Sequence, residues 1–349
     1  MPFVEYAFSG LTMIMKTINK VWKLLLAGLG IGIAFCYGLL VGAKKSFPYY
    51  YIDKLKKKVD GSYPTDAEYS HSVIDKLDLE SEFEIHIIHV NRNCHATLLR
   101  VTGGPNVMIG CGPLTDSKVV VNYLRELEIS SIDIVIIPYY DRDFVGGLKY
   151  ILKEFEVEKF VLEKRTGTID KKERVENILK NKTIVYPDVG EKIKLNDDID
   201  LQKLGPVKTF NLNNTPTAGP NRCNSTIYKL VSPSFKALFM GDAQTPAEEE
   251  LLDSGFDLSV DLLKVGHHGH GPVNSLDFLD SVEPDIAIID NAWPRGRRDD
   301  NVLECKSKLS YLDNIETYET NKRGSIAIEC SGVTSRIKAS ISRTGDDPA

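Results

Sequence analysis

The sequence predicts an α/β protein: two β-sheets packed face to face with helices outside, four layers in the order αββα, preceded by one N-terminal transmembrane helix. Three observations predict it. Residues 24–43 (LLLAGLGIGIAFCYGLLVGA) carry no charge. Short β-branched runs begin near residue 83 and follow one another directly. From there to about residue 340 such runs alternate with amphipathic stretches in two similar halves. The chain has 349 residues, 42% hydrophobic and 26% charged, which leaves ample length for a core and excludes a disordered, collagen-like or disulfide-dense protein. A net charge of −6 supplies no bulk basic field, so nucleic-acid affinity would need a local patch.

Twenty apolar residues span the hydrocarbon core of a bilayer at 1.5 Å rise per residue, which reads 24–43 as a single-pass anchor. The alternative is a cleaved signal peptide ending at Val41-Gly42-Ala43. Gly28 and Gly32, with Gly38 and Gly42, give two small-xxx-small spacings that would admit a second helix and hence a homo-oligomer. Lys16, Lys20 and Lys23 precede the run, whereas Lys44, Lys45, Lys54, Lys56, Lys57 and Lys58 follow it, so the positive-inside rule leans towards a cytoplasmic C-terminal domain but leaves the side of the membrane undecided. Of six cysteines Cys36 lies in the run, and Cys94, Cys111, Cys223, Cys305 and Cys330 form no CxxC pair. The expected layout is 1–23 N-terminal segment, 24–43 transmembrane helix, 44–82 juxtamembrane linker, 83–340 α/β domain and 341–349 polar tail.

Within the domain, residues 83–90, 96–101 and 107–109 read as consecutive strands, 116–128 as a helix and 132–137 (IDIVII) as a buried strand. A helix through Leu148, Ile151 and Leu152 and a strand at 159–162 complete the first half. The second half places strands at 226–231, 235–240, 262–265 and 286–290, with helices from Pro246, near 275–281 and near 301–312. A last strand pair falls at 325–329 and 335–339.

Ligands in such layouts collect at loops leaving the strand ends. Three loops carry chemistry: PYYDRDFVGGL (138–148), the Gly241-Asp242 turn in FMGDAQTPAEEELL, and LLKVGHHGHGPVNS with His267, His268 and His270. Clustered imidazoles and a carboxylate on separate loops are the ingredients of a metal site. These motifs, together with Asn224-Ser225 before a strand and YETNKRGSIAIECSG near the end, resemble the metallo-β-lactamase fold, in particular the C-terminal domain of the ComEC competence proteins, over roughly residues 83–332.

The resemblance implies a metal loop HxHxDH, but here Tyr139, Asp141, Asp143 and Phe144 stand in its place, so three histidines are missing and only Asp143 is kept. The family's GQGD turn becomes Asn91-Arg92-Asn93-Cys94, its IDGG turn becomes Ile109-Gly110-Cys111-Gly112, and a late Gly-His-Pro element gives way to Arg295, Arg297 and Arg298. Asp242 resembles the family's metal-bridging aspartate, and one of His267 and His268 a metal ligand. A set of Asp141, Asp143, Asp242, His267 and His268, with Tyr139 as a marginal oxygen donor, is too rich in carboxylate for two zinc ions. It would suit either no metal or one divalent cation (Mg, Mn or Zn), and the resemblance implies Asp143 as the catalytic residue that orients the attacking water.

Plainer roles stand beside these. Asp141, Asp143 and Asp242 can cap helices, His267 and His268 can be loop packing, and His86, His89 and His95 read as core or surface histidines on strands. The first functional expectation is a membrane-anchored binding or scaffold module that has lost dizinc catalysis, partnered by a bilayer and by other protein chains. The alternative is a metal-dependent phosphodiesterase or nuclease, and nucleic acid enters as a partner only by family analogy.

Overall fold

The computed structural model describes residues 81–90, 95–165, 169–210, 220–291, 300–312, 315–331 and 334–339, all within the unit Asp66–Ala349. The first sheet is built from β1 (Phe83–Ile87), β2 (Thr97–Val101), β3 (Asn106–Ile109), β4 (Ser131–Ile137), β5 (Glu156–Leu162) and β6 (Thr183–Val185). The second takes β7 (Lys192–Lys194), β8 (Asp200–Gly205), β9 (Ile227–Val231), β10 (Lys236–Phe239), β11 (Leu262–Lys264), β12 (Ile286–Ile289) and β13 (Glu316–Glu319). The last pair, β14 (Ile326–Ser331) and β15 (Thr334–Ala339), returns to the first sheet, where β14 runs antiparallel to β1 with Ile85 opposite Ile328. The two halves of the sequence are therefore not two self-contained sheets. The C-terminal pair completes the sheet that the N-terminal strands began.

The helices are α1 (Ser117–Glu126), α2 (Arg142–Val145), α3 (Leu148–Glu154), α4 (Ile169–Ile178), α5 (Pro220–Cys223), α6 (Thr245–Asp253), α7 (Leu276–Val282), α8 (Asp300–Leu309) and α9 (Thr320–Arg323). Strand alternation sorts side chains between layers. Phe83, Ile85, Ile134, Ile136 and Val161 of the first sheet meet Leu230, Ala237, Phe239, Leu262 and Ile288 of the second in the central core. The opposite face of the first sheet (Leu98, Met108, Val135) packs on Val120 and Leu124 of α1 and on Leu148 and Ile151 of α3. The outer face of the second (Leu238, Leu263, Ala287) packs on Leu251 of α6, Phe278 of α7 and Cys305 of α8. β4 lies parallel between β3 and β5, which is why IDIVII reads as a continuous apolar run rather than an alternation.

Several elements escape the apolar pattern. β6, β7 and β13 carry exposed Thr183, Val185, Lys192, Lys194, Glu316 and Thr317 at sheet edges, and α4 buries only Val175. Edge strands are kept polar because an exposed apolar edge would recruit another chain. His86 is a core histidine: its Nδ1 lies 2.9 Å from the Tyr123 hydroxyl of α1 and its Nε2 3.1 Å from Glu84.

Among the described residues no helix is long and apolar enough to cross a membrane. The helices α1, α4 and α8 have ten residues each, about 15 Å of rise against the ~30 Å of a bilayer core, and they carry charged faces. The fold class is corrected accordingly to a mixed α/β sandwich in which no described helix spans a membrane, and neither the N-terminal transmembrane helix nor the single-pass membrane localisation is supported. The run 24–43 that prompted both, the linker to residue 80 and the tail lie outside the described residues.

Candidate functional site

The site lies where parallel strands end. β10, β11 and β12 run parallel, and their C-terminal ends deliver Asp242, the turn Gly266–Gly269 and Asp290 to one place. Across the interface between the sheets, β4 delivers the loop from Pro138, and the start of β2 delivers His95. Ligand sites of open α/β folds gather at such strand ends.

Close backbone approach fixes these loops. Gly241 sits at φ +54°, and a Cβ there would come within 2.3 Å of the Ser225 Oγ, which accepts the Asp242 N–H at 3.0 Å. Asn224 holds that segment by exchanging two hydrogen bonds with the Phe210 backbone, both 2.9 Å. The His267 N–H donates to the Gly241 carbonyl at 2.9 Å and ties the two loops together. His267 and His268 are both left-handed, at φ 45° and 57°. Non-glycine residues pay for that conformation, and such strain gathers at ligand sites.

In the loop after β4, Gly147 lets two segments touch: its N–H donates to the Gly112 carbonyl at 2.9 Å, and a Cβ would lie 2.1 Å from the Cys111 carbonyl oxygen. Phe144 is thereby held against the site, with its carbonyl accepting the Cys111 N–H at 2.7 Å. Because backbone on both sides cannot give way, Gly147→Ala is expected to cost about 1–3 kcal/mol. A drop in thermal midpoint checks it, and an unchanged midpoint would refute the tight docking of this loop.

The side chains form a closed polar cluster. His95 is buried, and its Nε2–H donates to Asp242 Oδ1 at 2.8 Å. Its Nδ1 accepts from the Lys264 ammonium at 2.8 Å and lies 3.1 Å from Asp290 Oδ2. Lys264 in turn pairs with Asp290 at 2.6 Å, each only 3–4% exposed. The His268 Nδ1–H donates to the Asp290 carbonyl at 2.9 Å and lies 3.2 Å from its Oδ1, while its Nε2 is 3.8 Å from Asp242. The faces of the His95 ring are covered by Phe144 (4.2 Å between centroids, 12° between planes) and by His268 (4.1 Å, 29°).

Electrostatics follow from this packing. Burial alone would push the Asp242 carboxyl up, but the His95 hydrogen bond and the nearby histidines outweigh it and hold Asp242 well below the usual carboxylate range. Asp290 behaves likewise, with burial opposed first by Lys264 and then by His95 and His268. For His268 burial pulls down, and Asp290 and Asp242 overcome it to hold the imidazole above its ordinary value. His267 is different: burial dominates and brings it down to about 4.

Of the residues expected from sequence, Asp242 and His268 are brought together and His267 stands beside them. Asp141 is not in the cluster: it caps α2 by accepting the Arg142 N–H at 2.9 Å and pairs with Lys171 at 3.2 Å. The Asp143 carboxylate lies 3.4 Å from Arg142 Nε, and what this residue gives the site is its carbonyl, which accepts the His95 N–H at 3.3 Å. Asp242 does not cap α6, whose cap position is Gln244. His95, Lys264 and Asp290 were missed, although all three stand at strand ends; their nearness to Asp242 is purely tertiary.

Ligand atoms of His95, His268 and Asp290 lie within 4.8 Å of one another, a spacing that could hold a metal ion. The donors themselves do not suit a resident divalent ion. Both His95 nitrogens are already engaged, one as donor and one as acceptor, and an ammonium sits on the same carboxylate. A lone pair that accepts from Lys264 cannot also bind a metal, and a buried ammonium repels one at this range.

The two facing sheets and the outer helices make a mixed α/β, metallo-β-lactamase-like fold. The chain is similar to ComE operon protein 3 of Bacillus subtilis (strain 168), 24% identical over 211 residues, 60% of this chain and 26% of the relative. It thus matches about a quarter of that protein's length. No protein-family model matches the chain. Among solved structures it is similar to the metallo-β-lactamase fold protein YhfI from Bacillus subtilis (TM-score 0.46, 12% identity, 74% of this chain and 100% of that one). It is also similar to a putative metal-dependent hydrolase from Parabacteroides distasonis (0.41, 13%, 68% and 92%) and to a diphosphatase from the PhnP family (0.35, 14%, 56% and 71%).

Proposed function

We propose that this domain is a binding or scaffold module on a metallo-β-lactamase-like frame, without dizinc catalysis. One observation carries the reading: the carboxylates at the strand ends are already engaged by the chain's own groups, Asp290 by the Lys264 ammonium at 2.6 Å and Asp242 by the His95 hydrogen bond at 2.8 Å. The loop that would bear the family's histidines instead offers Phe144, stacked on His95, and Asp141, turned to Lys171. The cavity beside them, lined by His95, Thr97, Phe144, Thr226 and Lys264, has room for about one water molecule. Its partners on this reading are other protein chains or a second copy.

A second reading, a hydrolase using one divalent cation, is favoured by the spacing of His95, His268 and Asp290. Elemental analysis of the purified full chain separates the two. Well under one equivalent of zinc, manganese or magnesium is expected. One equivalent or more, with phosphodiester cleavage that Asp242→Ala abolishes, would overturn the module and establish the hydrolase.

A further inference from the structure

Four walls enclose the His95 imidazole: the Phe144 ring on one face, the His268 ring on the other, Asp242 at the Nε2 edge, and Asp290 with Lys264 at the Nδ1 edge. Asp242 and His268 belong to different loops of the second sheet, and His95 comes from the first sheet. The ring therefore reaches across the sandwich into a pocket made by other elements. Its backbone is pinned on both sides: the His95 N–H donates to Asp143, and the His95 carbonyl accepts from Gly112 at 2.9 Å. Gly110 next to it sits at φ +74° with space for no Cβ, since one would lie 2.4 Å from the His95 carbonyl oxygen. A side chain delivered this firmly, with both nitrogens and both faces used, occupies its pocket as a ligand would.

We propose that His95 is a plug built into the chain, filling the place of a cation between Asp242, Asp290 and His268, and that it keeps divalent metal out of this site together with the Lys264 ammonium already lying on Asp290. The inference rests on the reading of a metal-free module and names the determinant. The physical reason is exclusion in space, because the ring fills the hole and its Nε2–H occupies Asp242. Asp242 would be free to take an ion only if the His95 Nε2–H left it, and His268 presents its face to the ring rather than to open space. Without the imidazole, Asp242, His268 and the Lys264–Asp290 pair would line a hole of ring size, in which Asp242 and His268 are the donors that Lys264 leaves open to a divalent cation and which imidazole itself can enter.

The test uses the full chain as wild type, His95→Ala and His95→Asn, stripped with chelator and titrated separately with zinc and with free imidazole, reading binding by calorimetry and stability by thermal melting. His95→Ala is expected to bind zinc at least about tenfold more tightly than wild type and to melt higher in imidazole, saturably. His95→Asn, which is smaller but keeps a donor for Asp242, should gain less. A zinc gain that disappears when Asp242→Asn is added places the ion in this pocket. A His95→Ala chain that neither zinc nor imidazole stabilises, together with a His95→Asn chain no better at binding zinc than wild type, overturns the plug. Stoichiometric metal in the wild type overturns the module reading and the plug together, whereas empty variants beside an empty wild type overturn the plug alone.

Discussion

Asp290→Ala is expected to destabilise the domain by about 3–5 kcal/mol, because it leaves a buried ammonium without its counter-ion. Asp290 lies 2.6 Å from Lys264 Nζ, 3.1 Å from His95 Nδ1 and 3.2 Å from His268 Nδ1, and all four side chains are buried. The single methyl of alanine restores none of these contacts, and Lys264 on the central strand β11 has no route to solvent from a position 3% exposed. Urea unfolding should show a lower midpoint at unchanged slope. Asp290→Asn should cost less than alanine, since the amide oxygen keeps a polar atom beside the Lys264 ammonium. The double variant Lys264→Met/Asp290→Ala should recover part of the loss, because removing both members of a buried pair leaves no orphaned charge. A change within about 0.5 kcal/mol for Asp290→Ala would mean that the cluster contributes nothing to stability.

Stability is expected to fall steeply between pH 6.5 and 4. Burial lowers His267 to about 4, and burial likewise lowers His89 to about 4 despite the nearby Asp116. Both prefer to be neutral when folded and bind a proton near pH 6.5 when unfolded, so their contribution is complete above that value and is lost as the pH falls towards 4. A gap of about 2.5 units corresponds to roughly 3 kcal/mol for each histidine. Asp242 and Asp290, held low in the folded state, extend the loss below about pH 4 as the unfolded carboxylates take up protons. His268 acts in the opposite sense: held above its ordinary value, it stabilises below pH 6.5, and its contribution fades as the pH rises through its folded value. Denaturant midpoints measured from pH 4 to 8 check this, and His267→Gln should flatten the acid limb by about half. A wild-type midpoint that is level from pH 6.5 to 4 would refute the burial of these imidazoles.

Much of the sandwich is legible in the sequence because burial on both faces imposes continuous apolar runs, as in Ser131–Ile137, and helix packing imposes the stripe of Val120, Tyr123 and Leu124. Gly241-Asp242 and His267-His268 are legible for a different reason: a sharp turn at a strand end demands glycine, and a polar residue there has few other uses. Edge elements such as Lys192–Lys194 and Glu316–Glu319 are hidden because their polarity protects a sheet edge and leaves no periodic signal.

Within the described domain, the sequence by itself determined the layered α/β order and the loops at which a site would form. Only the tertiary structure decided which side chains meet there. His95, 147 residues from Asp242 in the chain, and Lys264, 26 residues from Asp290, look like isolated polar residues on strands until the two sheets close. Buried charge must be matched, and the matching partner is set by three-dimensional proximity, which local sequence patterns do not encode.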